Sequence, residues 1–114
     1  MHPCHHSETS ARVFGGKPED YLAIHDWMDA SKEQLADYRH RALRHHSQGI
    51  FEAERVFGHT ITNSDGKEVP VRYVCEQHIK EDCGGRIPSM ADWFREIPRR
   101  EWMGKNYTFE GKTH

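Results

Sequence analysis

The chain has 114 residues, a formal charge of −2 with histidine neutral, and 35% hydrophobic and 11% aromatic residues. That is the size of one domain with a modest core, and the near balance of acids and bases excludes a generic polyanion binder and gives no strong nucleic-acid signal. No apolar run is long enough for a membrane span, no targeting h-region is present, and Cys4, Cys75 and Cys83 make an odd count for a disulfide framework, so a reducing cytoplasm is the expected setting.

Residues 1–114 are read as a single domain, with 1–9 an irregular arm and 104–114 a loose tail. The arm holds His2-Pro3-Cys4-His5-His6, a set of ligand-type side chains, but as a chain end it is expected to fray. Ser7 to Phe14 suggests a short helix that stops at Gly15-Gly16. Pro18-Glu19-Asp20 opens the next helix with Pro near its first position and acids in the first turn. Its apolar side is Tyr21, Ile24 and Met28; His25 borders that side, and Asp29 lies one turn on, within reach of His25 at i,i+4. Ser31, with Gln34 three residues later, forms a capping box for a long helix running to Phe57-Gly58. Thr60 to Val69 then reads as a polar hairpin around Ser64-Asp65-Gly66, an appended flap. Pro70 opens a helix over Val71 to about Asp82, closed by Gly84-Gly85. Ser89, with Asp92, caps a helix expected over Met90 to Ile97, with Trp93 and Phe94 inward. The expected fold is mainly α: a compact helical bundle of four to five helices, with one short β-hairpin between the long helix and the next.

Ten histidines, dispersed from His2 to His114, are the compositional outlier. At about 100° per residue, Leu35, Tyr38, Ala42, Gly49, Ile50, Ala53, Val56 and Phe57 share one side of the long helix. His46 falls in the middle of that side, where a leucine would be expected. His45 flanks it and His40 lies well off it. On the helix after Pro70, Val71, Val74, Cys75, His78 and Ile79 share a face, and Asp82 joins it one turn after His78. The Cys75-x-x-His78-x-x-x-Asp82 spacing is that of ligands borne on one helix, although a buried cysteine commonly acts as a small hydrophobe.

If these faces meet in a bundle, His46, His78 and Asp82 converge, with His25 as a fourth member. Such N and O donors suit a divalent transition metal, Zn, Fe or Mn. The plainer reading is a buried His–Asp hydrogen-bond network that only fixes packing. Arg39, Arg41 and Arg44 would gather an anionic substrate at the mouth, or else form a solvated face, since Asp37 and Glu52 are mixed among them.

Two resemblances bear on this. His25-Asp26, with His6 upstream and Asp82 downstream, resembles in order the metal-dependent phosphohydrolases named for their His-Asp pair, though Asp26 points away from the apolar side of its helix. A broader resemblance rests on Ser10-Ala11-Arg12, on Phe14-Gly15-Gly16-Lys17-Pro18-Glu19-Asp20-Tyr21, on Arg39 through His46, on Ile61 through Gly66 and on Val69-Pro70-Val71-Arg72-Tyr73 with Glu76-Gln77-His78 and Glu81-Asp82. Over roughly Ser10 to Trp102 the chain resembles an uncharacterised family of small bacterial and phage-borne proteins, a domain of unknown function. The resemblance implies a stand-alone protein, often encoded on mobile elements, and implies no activity.

Two functions follow as expectations. The first is a small metal-binding helical protein, with hydrolysis of a phosphoester-like bond as its chemistry, carried by His46, His78, Asp82 and His25. The second is a non-catalytic phage or mobile-element protein that binds a host complex through exposed aromatics (Trp27, Trp102, Tyr107), its buried histidines purely structural.

Overall fold

The computed structural model describes residues 2–104, and the tail with Tyr107 lies outside the described residues. Its helices are α1 (Pro3–Phe14), α2 (Glu19–Asp29), α3 (Arg41–Arg44), α4 (Ser47–Phe57), α5 (Val71–Asp82) and α6 (Met90–Phe94). One antiparallel hairpin, β1 (Thr60–Thr62) and β2 (Glu68–Pro70), pairs Ile61 with Val69. The expected architecture, mainly helical with a single hairpin between the long segment and the helix after Pro70, is the one observed.

The apolar core lies where α2, α4 and α5 meet. Tyr21, Ile24 and Met28 of α2 pack with Ile50 and Ala53 of α4, with Val71, Val74, Cys75 and Ile79 of α5, and with Val69 of the hairpin. Each set recurs at helical spacing, so one stripe per helix is withdrawn from water, and that burial is the main driving force for the assembly.

The irregular arm expected over 1–9 is a correction: residues 3–9 are helical. Helix α1 begins at Pro3, capped by the His2 ring, whose Nδ1 accepts from the Cys4 amide at 3.1 Å. It docks because His6, Ser7 and Ser10, a polar stripe at helical spacing, are buried against α2 and α5 and the rings and hydroxyl of His6 and Ser10 find partners there. A polar stripe carries no hydrophobic signal, so the fraying argument had nothing to set against it. The helix ends where Gly15 and Gly16 take φ of 88° and 72°, conformations that cost other residues dearly.

The long helix is the second correction. Residues 31–57 do not form one rod. Ala30–Glu33 and Tyr38–His40 are 3-10 turns, α3 is a single turn, and the chain breaks at His45-His46. Ser31 is not a helix cap; its hydroxyl donates to the His40 carbonyl instead. His46 is extended (φ −160°, ψ 172°) and caps α4, with Nδ1 accepting from the Gly49 amide at 3.0 Å. A Cβ at Gly49 would run into the Arg44 carbonyl, so the tight reversal requires glycine there. Tyr38 and Val56, expected on the buried side, are exposed.

Two smaller differences complete the picture. Helix α6 stops at Phe94, although the Ser89–Asp92 capping box is present as expected, and Phe94 is exposed. The hairpin is a clamped element, not a flap. Asp20 accepts from the amide and hydroxyl of Ser64 at 2.8 and 2.7 Å, and Asp65 accepts from the Gly16 amide at 2.9 Å. Asn63 donates to the Tyr21 hydroxyl at 3.2 Å, and that hydroxyl donates to the Gly15 carbonyl at 2.6 Å.

Candidate metal centre

Helix periodicity places the first four contributors. His25 and Asp29 stand one turn apart on α2, and His78 and Asp82 one turn apart on α5, so each helix projects two polar side chains toward the other. The break before α4 turns His45 into the same space, and α1 brings His6 against α5. His6, His25, His45 and His78 are fully buried, and the side chains of Asp29 and Asp82 are almost so.

Four atoms converge. His45 Nε2 lies 3.0 Å from Asp82 Oδ2 and 3.5 Å from Asp29 Oδ1. His78 Nε2 lies 3.1 Å from Asp29 Oδ1 and 3.3 Å from Asp82 Oδ2. With metal–ligand bonds of about 2.0–2.1 Å, a tetrahedral set has edges of roughly 3.3 Å; these four edges scatter around that value. Asp29, His45, His78 and Asp82 are therefore a group that could hold a metal ion.

His6 borders the group on its other side. Its Nε2 is 3.4 Å from Asp82 Oδ1 and has no well-formed hydrogen bond, while its Nδ1 meets Glu81 Oε1 at 2.9 Å. The His6 and His78 rings stack with centroids 3.7 Å apart. His25 sits one step further out: its Nδ1 meets His78 Nδ1 at 2.8 Å, and its Nε2 meets the Ser10 hydroxyl at 2.8 Å.

The electrostatics follow from burial and neighbours. Burial disfavours charge on Asp29 and Asp82, but hydrogen bonds from His45 and His78, joined at Asp82 by His6, outweigh it and hold both carboxyls well below the usual range. Both are therefore held as carboxylates, with Lys32 Nζ 3.5 Å from Asp29 and an Arg41 guanidinium nitrogen 4.0 Å from Asp82. His25 is pushed down to about 3, by burial first and then by His78 and His6, and is neutral. Burial also works against charge on His6, yet the carboxylates of Asp82 and Glu81 prevail and raise its proton affinity.

The residues singled out from the sequence fare differently. His78 and Asp82 stand in the four-atom group. His25 contacts His78 and forms with His6 and His78 a second cluster of candidate ligands. His46 does not join either cluster of candidate ligands; its ring caps α4, and burial lowers its pKa. Cys75 belongs to the apolar core, with its thiol pushed up to about 12 by burial and then by Glu54 and Glu76, and it joins neither cluster of candidate ligands. Asp26 is exposed, which removes the His25-Asp26 pair as a site; the acid of α2 that faces inward is Asp29. Of the three arginines only Arg41 reaches the centre, donating to the Asp82 carbonyl at 3.2 Å. Arg39 pairs with exposed Asp37, and Arg44 lies over the Trp27 ring at 3.9 Å.

Sequence reasoning missed His45 and Asp29 as members of the four-atom group and His6 as its neighbour. Asp29 was legible, since it stands one turn from His25. His45 was not, because only the helix break turns it inward.

Beside Asp82 a cavity of about 410 Å³ opens to the surface, lined among others by Arg41, Arg86, Arg95 and Trp93. Trp93 also supports the break from outside, donating from its indole nitrogen to the His45 carbonyl at 2.9 Å.

The chain belongs to the family described as Domain of unknown function (DUF6915), whose model matches residues 1–103. No curated protein and no solved structure matches it. Among the described residues no helix is long and apolar enough to cross a membrane.

Proposed function

We propose that this protein binds one divalent transition metal, Zn²⁺, Fe²⁺ or Mn²⁺, through Asp29, His45, His78 and Asp82. The observation that carries the reading is the convergence of two imidazole nitrogens and two carboxylate oxygens, 3.0–3.5 Å apart across the four nitrogen–oxygen pairs, in a buried site. Two carboxylates and two imidazoles are hard and borderline donors, which favours these ions over Cu(I) and other soft ions. Without an ion, protons on the imidazoles must separate the nitrogens from the oxygens, so binding releases protons.

The chemistry that fits best is hydrolysis of a phosphoester-like bond. A metal held by these residues, with a coordination position left open toward the cavity, would lower the pKa of a bound water toward neutrality and make it a nucleophile. The cavity beside Asp82 offers an approach, and Arg41, Arg86 and Arg95 at its wall suit an anionic group. Asp92 and Glu96 in the same wall confine that positive charge to a small patch, which favours a small substrate over a polymer.

Elemental analysis by inductively coupled plasma mass spectrometry, on untagged protein purified without chelator, tests the first step. Near-stoichiometric Zn, Fe or Mn, lost in His78→Ala and in Asp82→Ala, is the expected result; a folded, metal-free protein that takes up none of the three on addition refutes it. A screen of small phosphomonoesters and phosphodiesters with the loaded protein then tests hydrolysis.

A second reading, a protein-interaction role, rests on a separate surface. Leu35, Tyr38, Leu43, Phe94 and Ile97 line an apolar groove away from the histidines, and Trp102 is 82% exposed. On this reading a partner is captured equally well by wild type and by His78→Ala.

A further inference from the structure

The hydrogen-bond geometry fixes which nitrogen of two rings carries a proton, and it does so from outside the four-atom group. Gln77 is the starting point. Its amide nitrogen donates to the His6 carbonyl at 3.0 Å and to Glu81 Oε1 at 2.6 Å, two acceptors that have nothing to donate. Its amide oxygen must therefore be the atom turned to the Ser10 hydroxyl at 2.5 Å.

Ser10 Oγ now faces two oxygens, Gln77 Oε1 and the His6 carbonyl at 3.0 Å. Its single proton lies toward them, since two or three oxygens at these distances with no hydrogen between them would repel. It has none to offer His25, so at 2.8 Å it accepts from His25 Nε2–H. His25 is buried with no carboxylate at hydrogen-bond distance, which disfavours its cation. Its Nδ1 is then a lone pair, and at 2.8 Å it accepts from His78 Nδ1–H. The remaining His78 nitrogen, Nε2, is left as the one that faces Asp29 and Asp82. A neutral imidazole there presents a lone pair to two carboxylate oxygens, an arrangement that only a cation or an added proton makes favourable.

The second branch is shorter. His6 Nδ1–H donates directly to Glu81 Oε1 at 2.9 Å. With that proton on Nδ1, Nε2 is the nitrogen left to face the centre; it lies 3.4 Å from Asp82 Oδ1, the oxygen opposite to the one that His45 and His78 face, without a well-formed hydrogen bond. Both branches end on the same atom, Oε1 of Glu81.

We propose that Glu81 is the outer anchor of the centre: directly through His6, and in series through Gln77, Ser10 and His25, it holds Nδ1 of both His6 and His78 as a donor and leaves Nε2 of each as the nitrogen that turns to Asp82 and can bind a metal once any proton there is displaced, and so makes His6 a further metal ligand. This rests on the metal reading above and deepens it. Glu81, Gln77, Ser10 and His25 are positioning residues; they touch no metal, but they hold the ring tautomers that binding requires, and a carboxylate behind a histidine also raises its basicity as a ligand.

Zn²⁺ is the probe, being diamagnetic. In zinc-loaded protein labelled with ¹⁵N-histidine, long-range ¹H–¹⁵N correlation spectra are expected to show His6 and His78 protonated at Nδ1 and zinc-bound at Nε2. Either ring with its proton on Nε2 overturns the proposal. Zinc affinity, measured by competition with a chromophoric chelator, is expected to fall about 10- to 100-fold in Ser10→Ala and in Glu81→Gln, the usual effect of losing an outer partner. Ser10→Thr, which keeps the hydroxyl, restores it. Unchanged affinity in Ser10→Ala overturns the proposal, and the Ser10 pair decides even where Glu81→Gln fails to fold. Wild type that takes up no zinc defeats the metal reading itself; tight wild-type binding with unmoved variants defeats only the anchor.

Discussion

Helices α2 and α5 carry two buried regions that could hardly differ more. At one end Tyr21, Ile24, Met28, Val71, Val74 and Cys75 make an apolar core. At the other, on the next turns of the same helices, Asp29, His78 and Asp82 meet His45 and His6. Both are withdrawn from water to a similar degree. The apolar end is stabilised by that withdrawal alone. The polar end is penalised by it, since buried charges and lone pairs need partners, and here His6 Nε2 and His45 Nδ1 lack hydrogen bonds while carboxylates crowd together. One half of the interior is satisfied by apolar packing; the other gathers donor atoms that could hold a metal ion.

The sharpest way to break this comparison is to supply or remove the ion. Saturating the protein at about a thousand times its dissociation constant should raise stability by about 4 kcal/mol. With roughly 4 °C per kcal/mol for a domain of this size, scanning calorimetry with and without chelator should separate the two states by about 15 °C. An unchanged midpoint in protein shown to carry metal would place the ion elsewhere.

Truncation at the apolar end should behave differently. Ile79→Ala, fully buried between the two regions, is expected to cost about 2–5 kcal/mol in urea unfolding. That loss should be the same with the metal present or chelated. A loss that appears only in the chelated form would mean that the two ends are not separate.

The adjacent histidines give a contrast within one dipeptide. His45→Ala should abolish stoichiometric metal. His46→Ala should keep the metal and cost about 1 kcal/mol, the ordinary value of a helix cap, because the His46 ring serves the Gly49 amide. Equal metal loss in both variants would overturn the assignment of His45. The smallest expected effect is at the hairpin clamp: Tyr21→Phe removes a hydroxyl bonded to Gly15 and Asn63. It should cost about 1 kcal/mol and increase amide exchange at Asn63 and Gly66, with metal content unchanged.

Much of the fold is written in the chain as periodicity and punctuation. Pro18, Pro70, Ser89 and the glycine pairs at 15–16 and 84–85 mark helix ends correctly, and the apolar stripes of α2 and α5 identify the core before any contact is known. The His78–Asp82 pair, too, follows from i,i+4 spacing on a helix that the sequence delimits well.

What the sequence did not determine is how a polar stripe docks and where a helical pattern breaks. A helical wheel over 31–57 assumes an unbroken axis, and on that assumption it turns His46 inward and His45 aside. The break at His45-His46 reverses the two roles; it is stabilised by a ring cap on the Gly49 amide and by the Trp93 indole bound to the His45 carbonyl, a contact 48 residues distant in sequence. His6 is the same lesson at the chain's start. Its hydrophilic helix has no reason to fold in isolation, and only Glu81, Gln77 and His25, brought together by α2 and α5, give its polar groups partners. Apolar burial depends mainly on a residue's own character, so it is legible locally. A buried polar site depends on partners distant in the chain, so only the tertiary structure decides it.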